Sequence, residues 1–345
     1  MNVLKDEQQS NLGVSIIICC YNSEKRLPNT LGHLALQKVP SSIAWEVIVV
    51  DNNSSDRTSI VAKELWDNNG SLTSLNIYHQ SLSGLYHARD LGIKKAKFKY
   101  LIFCDDDNWL YSDYVRRVYD IFSSDPSIGI VGGQTFGVYE SPAPEWFIRF
   151  SNFFAIGEKK YETGYIKASD WGVWGAASAY NKAIYDCLDK EGFKPILLGR
   201  IGNKMTSGED REMCLIVRKL GYKIYYDSSL ISGHYMPISR YDGAKFLEMC
   251  LWNGHNLPLF TYLDAPDSFS VRAILYSISK GAWFLLRNRH LVDKKEINDL
   301  IKTYFEVKGT LKGNISLLLN FKKNKSLFGI YNSKLLYIKA KYNES

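Results

Sequence analysis

Four short apolar runs punctuate the first 135 residues: Val14 to Cys20 (VSIIICC), Glu46 to Val50 (EVIVV), Leu75 to Tyr78, and Tyr100 to Cys104 (YLIFC). They are rich in β-branched residues and show no strict polar alternation, the pattern of strands buried on both faces of a parallel sheet. Between them, residues of roughly 24–37, 56–68 and 84–97 follow a helical period. Strand and helix in alternation predict an α/β fold, a doubly wound, mostly parallel sheet flanked by helices.

Residues 135–205 break this rhythm, with Pro142, Pro144 and scattered glycines and tryptophans that predict loops and an irregular second half. A helix is expected to start at Ser207-Gly208-Glu209-Asp210, to carry Met213, Ile216, Val217 and Leu220 on one face, and to stop at Gly221. Beyond about residue 265, Val271, Ile274, Leu275, Ile278, Ala282, Leu285 and Leu286 keep helical spacing. The expected organisation is a main unit over 1–265, with halves at about 14–134 and 135–265, and a basic helical region over 266–345.

The chain has 345 residues, 46% hydrophobic and 23% charged, which excludes disordered, collagen-like and disulfide-framed classes. Its net charge of +7 is uneven. From Val271 onward 15 Lys and Arg face 5 Asp and Glu, an excess of +10 that leaves −3 for the first 270 residues. Basic charge confined to the C-terminal region suits an anionic membrane surface at least as well as nucleic acid. The six cysteines have no metal-ligand spacing and read as buried thiols of a reducing compartment. The N-terminus lacks a signal-peptide pattern, and the apolar stretch from Ala273 to Leu286 is interrupted by Lys280 and is shorter than the ~20 residues a spanning helix needs. The expected location is therefore cytoplasmic, with peripheral contact at the inner membrane face. The competing readings of the Lys-rich end are a solvated helical face and lipid docking through Lys322, Lys323 and Lys325 beside Leu317 to Leu319 and Phe321.

Polar clusters follow three of the four runs: Tyr21-Asn22-Ser23-Glu24, Asp51-Asn52-Asn53-Ser54 and Asp105-Asp106-Asp107-Asn108. Ligands of open parallel sheets bind beyond the carboxyl ends of the strands, so these clusters are expected to share one site. Neither GxGxxG nor GxxxxGK[ST] is present, which excludes the usual dinucleotide and phosphate loops. If the aspartate triplet were extended, Asp105 and Asp107 would point the same way and share Mg²⁺ or Mn²⁺, with a diphosphate completing the oxygen shell.

Over about residues 14–240 the chain resembles the family 2 glycosyltransferases of the GT-A nucleotide-diphosphosugar-binding fold. The matching segments, in order, are VSIIICCYNSEKRL, VIVVDNNSSDRT, GLYHARDLGIKKAKFKYLIFCDDDNWL, WGAASAYNKAIYD, GEDREMCLIVRKLGYKIYY and SGHYMP. The resemblance implies that Asp51 hydrogen-bonds the nucleotide base, that Tyr21, Asn22 and Glu24 line the nucleoside pocket, and that Asn53, Arg89 and Asp106 add nucleotide contacts. It implies a cation at Asp105 and Asp107 with His234 nearby, Asp210 as catalytic base, and Trp174, Gly175, Ala176 and Glu209 on the acceptor side. Asp90 and Asn108 depart from the commoner family pattern. The implied reaction is one inverting transfer of a sugar from a nucleotide-diphosphate donor, a UDP-sugar by preference, to a hydroxyl of a glycan or lipid-linked acceptor, in bacterial surface polysaccharide or lipopolysaccharide synthesis. The alternatives are a sugar nucleotidyltransferase, a glycoside hydrolase and a non-catalytic carbohydrate-binding protein.

Several of these residues have plain structural readings. Ser207-x-x-Asp210 matches a capping box, three aspartates can form a solvated turn, Asp51 can open a helix, and His234, Trp174 and Tyr21 can be ordinary packed side chains.

Overall fold

The computed structural model describes residues 11–68, 70, 73–157, 161–197, 199, 208–291 and 297–343. Its strands are β1 (Val14–Cys20), β2 (Trp45–Asp51), β3 (Leu75–His79), β4 (Tyr100–Asp105), β5 (Asn108–Leu110), β6 (Ile128–Tyr139), β7 (Gly164–Tyr165), β8 (Ser178–Asn181) and β9 (Lys223–Met236). The helices are α1 (Leu27–Ala35), α2 (Thr58–Asn68), α3 (Leu85–Lys95), α4 (Tyr114–Ser124), α5 (Glu145–Arg149), α6 (Lys182–Lys190), α7 (Glu209–Lys219), α8 (Gly243–Asp264), α9 (Val271–Arg287), α10 (Asp299–Leu319) and α11 (Phe321–Asn343). The four apolar runs are strands, as expected. The helix expected from Ser207 is described from Glu209; Ser207 and its capping role lie outside the described residues.

The sheet order is β3-β2-β1-β4-β8-β6-β9-β5, with β7 on β9. β3, β2, β1 and β4 are mutually parallel, whereas β8 runs antiparallel to both β4 and β6. Alternate residues feed two cores. Ile16, Ile18, Val47, Val49 and Ile102 pack with α1, α2 and α4 on one face, and Ile17, Ile48, Val50, Leu101 and Phe103 pack with α3, α6 and α7 on the other. Each buried Val or Ile is worth ~1.5–3 kcal/mol, which is why runs without polar alternation settle between two helical layers.

The last helix belongs to the second of these cores. Phe328, Tyr331, Leu335 and Ile338 of α11 are buried with the side chains of α6 and α7. Ahead of it, α8 and α10 touch backbone to backbone: a Cβ on Gly309 would stand 1.9 Å from the Leu251 carbonyl oxygen, and one on Gly254 2.0 Å from that of Glu306. No described helix is long and apolar enough to cross a membrane. All six cysteines are free thiols, five of them buried.

Candidate active site

Strand register sets the frame of the site. Cys20 pairs with Asp51 and Cys19 with Asp105, so β1, β2 and β4 end level and release their polar clusters on one rim. Hydrogen bonds then join the clusters. Asn22 donates its backbone N–H to Ser54 Oγ (3.0 Å) and accepts from Ser55 N (2.8 Å). The backbone N–H of Ser23 reaches Thr58 Oγ1 (2.8 Å), and Glu24 accepts from Arg57 N (3.1 Å). Asn22 and Asn53 hold left-handed φ of 49° and 62°, a conformation that short amide side chains tolerate better than most. Tyr21 and Asn53 are exposed, while Glu24 is half-buried.

Asp51 is buried and accepts from Ser54 N (2.9 Å) and from Ser59 Oγ. Burial pushes its carboxyl up, but these hydrogen bonds outweigh burial and hold it below the usual carboxylate range. Beside it, Asn52 clamps the start of α3. Its amide donates to the carbonyls of Gln80 (3.1 Å) and Leu82 (2.7 Å) and accepts from Gly84 N (2.8 Å).

The aspartate triplet departs from the extended arrangement expected of it. Residues 106–107 form a turn between β4 and β5, so each carboxylate takes its own direction. Asp106 turns inward to Arg26 (2.6 Å) and Ser23, locking the Tyr21–Glu24 loop to the triplet. Asp107, 4% exposed, lies between His234 Nε2 (3.4 Å) and Arg240 Nη2 (3.2 Å). Burial raises its carboxyl, but the charges and hydrogen bonds of His234 and Arg240 more than offset this and leave it well below the ordinary range. The half-buried Asp105 acts on Arg89 instead.

Arg89 connects the strand ends to the second half of the chain. Its guanidinium lies 3.9 Å from Glu209 and 5.0 Å from the centre of the Phe103 ring. Burial lowers its pKa, yet Glu209 and then Asp105 hold it above the ordinary value. Gly208, at φ 112°, turns the chain into α7 and puts Glu209 and Asp210 in the first helical turn. Asp210 Oδ2 accepts from Gly175 N at 3.1 Å, and its Oδ1 accepts from Arg211 N at 2.8 Å. A Cβ on Gly175 would stand 3.1 Å from that of Asp210, so the glycine allows this approach. Trp174 and Ala176 flank Gly175 and are half-buried. Arg89, Glu209 and Asp210 share the wall of one cavity of about 120 Å³ with Tyr180, Leu197 and Met213.

Two residues outside the expected set hold this arrangement. The carboxylate of Glu212, one turn into α7, accepts from Ile196 N (2.8 Å), Leu197 N (2.7 Å) and the Tyr331 hydroxyl (2.8 Å). Burial keeps Glu212 above the ordinary range despite these bonds. Arg240 shares Asp107 with His234. Neither stands out in the sequence, because Glu212 looks like one more exposed acid in GEDREM and Arg240 lies beyond the SGHYMP segment.

This rim carries carboxylate and imidazole groups of the kind that hold hard cations. Asp107 and His234 face each other, with Nε2 3.4 Å from the carboxylate, while the buried Nδ1 of His234 points away from Asp107 and has no hydrogen-bond partner. Among the described residues no group of three or more His, Cys, Asp or Glu side chains is placed to hold a metal ion.

Comparison with known proteins agrees with the fold. The chain is 26% identical over 190 residues to the 4,4'-diaponeurosporenoate glycosyltransferase of Staphylococcus haemolyticus, covering 52% of this chain and 47% of that relative. It is 24% identical over 247 residues to the dolichyl N-acetyl-alpha-D-glucosaminyl phosphate 3-beta-D-2,3-diacetamido-2,3-dideoxy-beta-D-glucuronosyltransferase of Methanococcus voltae, covering 70% of this chain and 71% of that relative. It thus spans about half the length of the first relative and more of the second. A similar fold occurs in a mannosyltransferase from Pyrobaculum calidifontis in complex with GDP-Man and Mn²⁺, at 13% identity and a TM-score of 0.50, over 96% of this chain and 88% of that one. The family model Glycosyl transferase family 2 matches residues 15–189, about half the chain and all three strand-end clusters, and the chain belongs to that family.

Proposed function

We propose that the protein transfers one sugar, with inversion, from a nucleotide-diphosphate donor to a hydroxyl of a glycan or lipid-linked acceptor, as a step in building a bacterial surface polysaccharide. The observation that carries this reading is Arg89, which lies 3.9 Å from Glu209 at the start of α7, feels the charge of Asp105 at the end of β4, and lines one cavity with Glu209 and Asp210. One relative is named for 4,4'-diaponeurosporenoate and another for a dolichyl N-acetyl-alpha-D-glucosaminyl phosphate, which supports a lipid-linked acceptor.

In this reading the exposed Tyr21 and Asn53 and the Tyr21–Glu24 loop border the nucleoside, with Asp51 directed to the base and Asp106 holding the loop in place. The acceptor hydroxyl lies against Asp210, beside Glu209 and the Trp174–Ala176 loop. Asp210 takes the hydroxyl proton as the oxygen attacks the anomeric carbon, and the bond from that carbon to the diphosphate oxygen breaks on the opposite side. Arg89 presents positive charge to the diphosphate as it departs. Asp105, Asp107 and His234 would hold a divalent cation, Mn²⁺ or Mg²⁺, whose chemistry is to neutralise charge on the leaving nucleoside diphosphate.

A panel of nucleotide sugars with and without Mn²⁺, scored by thermal shift and by donor consumption, tests the proposal. Bound donor stabilises the folded chain by mass action. One UDP-sugar is expected to raise the melting temperature in the presence of cation and to be consumed when acceptor is added. Stabilisation by no nucleotide sugar would contradict the reading.

A further inference from the structure

We propose that the outer face of α9 docks on an anionic lipid surface. Arg272, Leu275, Tyr276, Ser279, Lys280, Trp283, Leu286 and Arg287 are all exposed, and their spacing of three and four residues places them on one side of the helix. Leu275 is 50%, Tyr276 63%, Trp283 62% and Leu286 69% exposed, while Ile274 on the opposite side is fully buried. Four large apolar side chains along one exposed stripe form a patch that water alone covers poorly.

The polar groups on this stripe name the partner. α9 contains no Asp or Glu, and its exposed charges are Arg272, Lys280 and Arg287. Lys280 Nζ lies 5.3 Å from the Tyr276 ring centre, and the Arg287 guanidinium lies 5.4 Å from that of Trp283. Aromatic rings with long basic stems beside them fit a headgroup boundary, with the rings and leucines at acyl depth and the cations reaching phosphate. A second copy fits poorly, because self-pairing would oppose cations with no carboxylate between them, in a region that carries +10 over its last 75 residues. At 17 residues and with three basic side chains the helix lies along a bilayer rather than across it.

The surface differs from the one the sequence suggested. Leu317 is 9% exposed, Leu318 and Phe321 pack on the core, and Phe321 stacks on Phe269 at 4.8 Å, which leaves only Leu319 of that group outside. Of that group only Leu319 offers an apolar surface to a partner.

Co-sedimentation of the full chain with phosphatidylcholine vesicles containing ~30% phosphatidylglycerol, and with pure phosphatidylcholine vesicles, tests the proposal at about 0.1 M and about 1 M salt. The wild type is expected to bind the anionic vesicles and to release in high salt. Trp283→Ser with Leu286→Ser, and Arg272→Glu with Lys280→Glu and Arg287→Glu, should each weaken partitioning at least ~10-fold with unchanged melting, while charge reversal of Lys322, Lys323 and Lys325 should change it less than about threefold. Quenching of wild-type fluorescence by brominated lipid, diminished in Trp283→Phe, reads the same contact without a disruptive substitution. The proposal is overturned if the wild type ignores anionic vesicles, if the α9 variants partition like the wild type, if Trp283 is not quenched, or if the wild type is a dimer that the α9 variants dissociate. None of these readouts depends on turnover, so they stand apart from the assignment of the reaction.

Discussion

The Tyr331 hydroxyl donates to Glu212 Oε1 at 2.8 Å across 119 residues of chain, tying the last helix to the helix that begins with Glu209 and Asp210. The same carboxylate caps the backbone N–H groups of Ile196 and Leu197, and Leu197 is in the cavity wall with Asp210. Tyr331→Phe removes one buried hydrogen bond and should cost ~1 kcal/mol, whereas Glu212→Ala strands two N–H groups and a hydroxyl and should cost ~3 kcal/mol or more. Urea denaturation of the two variants checks the order; equal losses would show that Glu212 does not anchor both partners.

Gly309→Ala should be more damaging than any exposed substitution in the C-terminal helices. Its Cβ would stand 1.9 Å from the Leu251 carbonyl oxygen, so α8 and α10 must separate, at a cost of ~3 kcal/mol or more. The control is Gly329→Ala, where a Cβ meets nothing within 4 Å; comparable melting temperatures for the two variants would refute the close helix contact.

Acid should remove the contribution of Asp51. Its hydrogen bonds with Ser54 and Ser59 place its folded-state pKa below the ordinary 3.8, so it stabilises the fold above that value and the contribution is lost as pH falls through the lower folded-state value. Asp51→Asn should therefore be ~2 kcal/mol less stable than the wild type near neutrality, with the gap closing below about pH 4. Denaturation series at several pH values measure that gap, and one that widened toward acid would reverse the assigned direction.

Cation dependence should follow the residues around the turn at 106–107. Asp105→Asn, Asp107→Asn and His234→Ala should each raise the Mn²⁺ concentration needed for donor binding ~10-fold or more, by removing an oxygen or nitrogen donor. Asp106→Asn should act mainly on stability, since its carboxylate is taken by Arg26 and Ser23. Titration of Mn²⁺ against donor-dependent thermal shift separates the two groups, and identical behaviour of all four variants would dissolve the distinction.

Much of the fold was readable because parallel strands covered on both faces need uninterrupted apolar runs, and VSIIICC and YLIFC have them. The three polar clusters were readable as neighbours because strand ends in register must share a rim. The directions of Asp105, Asp106 and Asp107 were not, since they depend on a turn closed by Arg26, His234 and Arg240 from distant parts of the chain. Glu212 was hidden for a related reason: an acid becomes a buried clamp only when Tyr331 and the 196–197 backbone arrive to satisfy it. Leu317 and Phe321 read as a docking surface in the sequence, but Leu317 is buried and Phe321 packs on the core.

The most direct test of the account is single-turnover transfer by Asp210→Asn, measured beside donor affinity and thermal melting. Loss of the proposed base should slow transfer at least ~100-fold while the donor still binds and the chain melts near the wild-type temperature. Transfer at close to the wild-type rate would show that Asp210 only opens its helix, and the assignment of the base would be wrong.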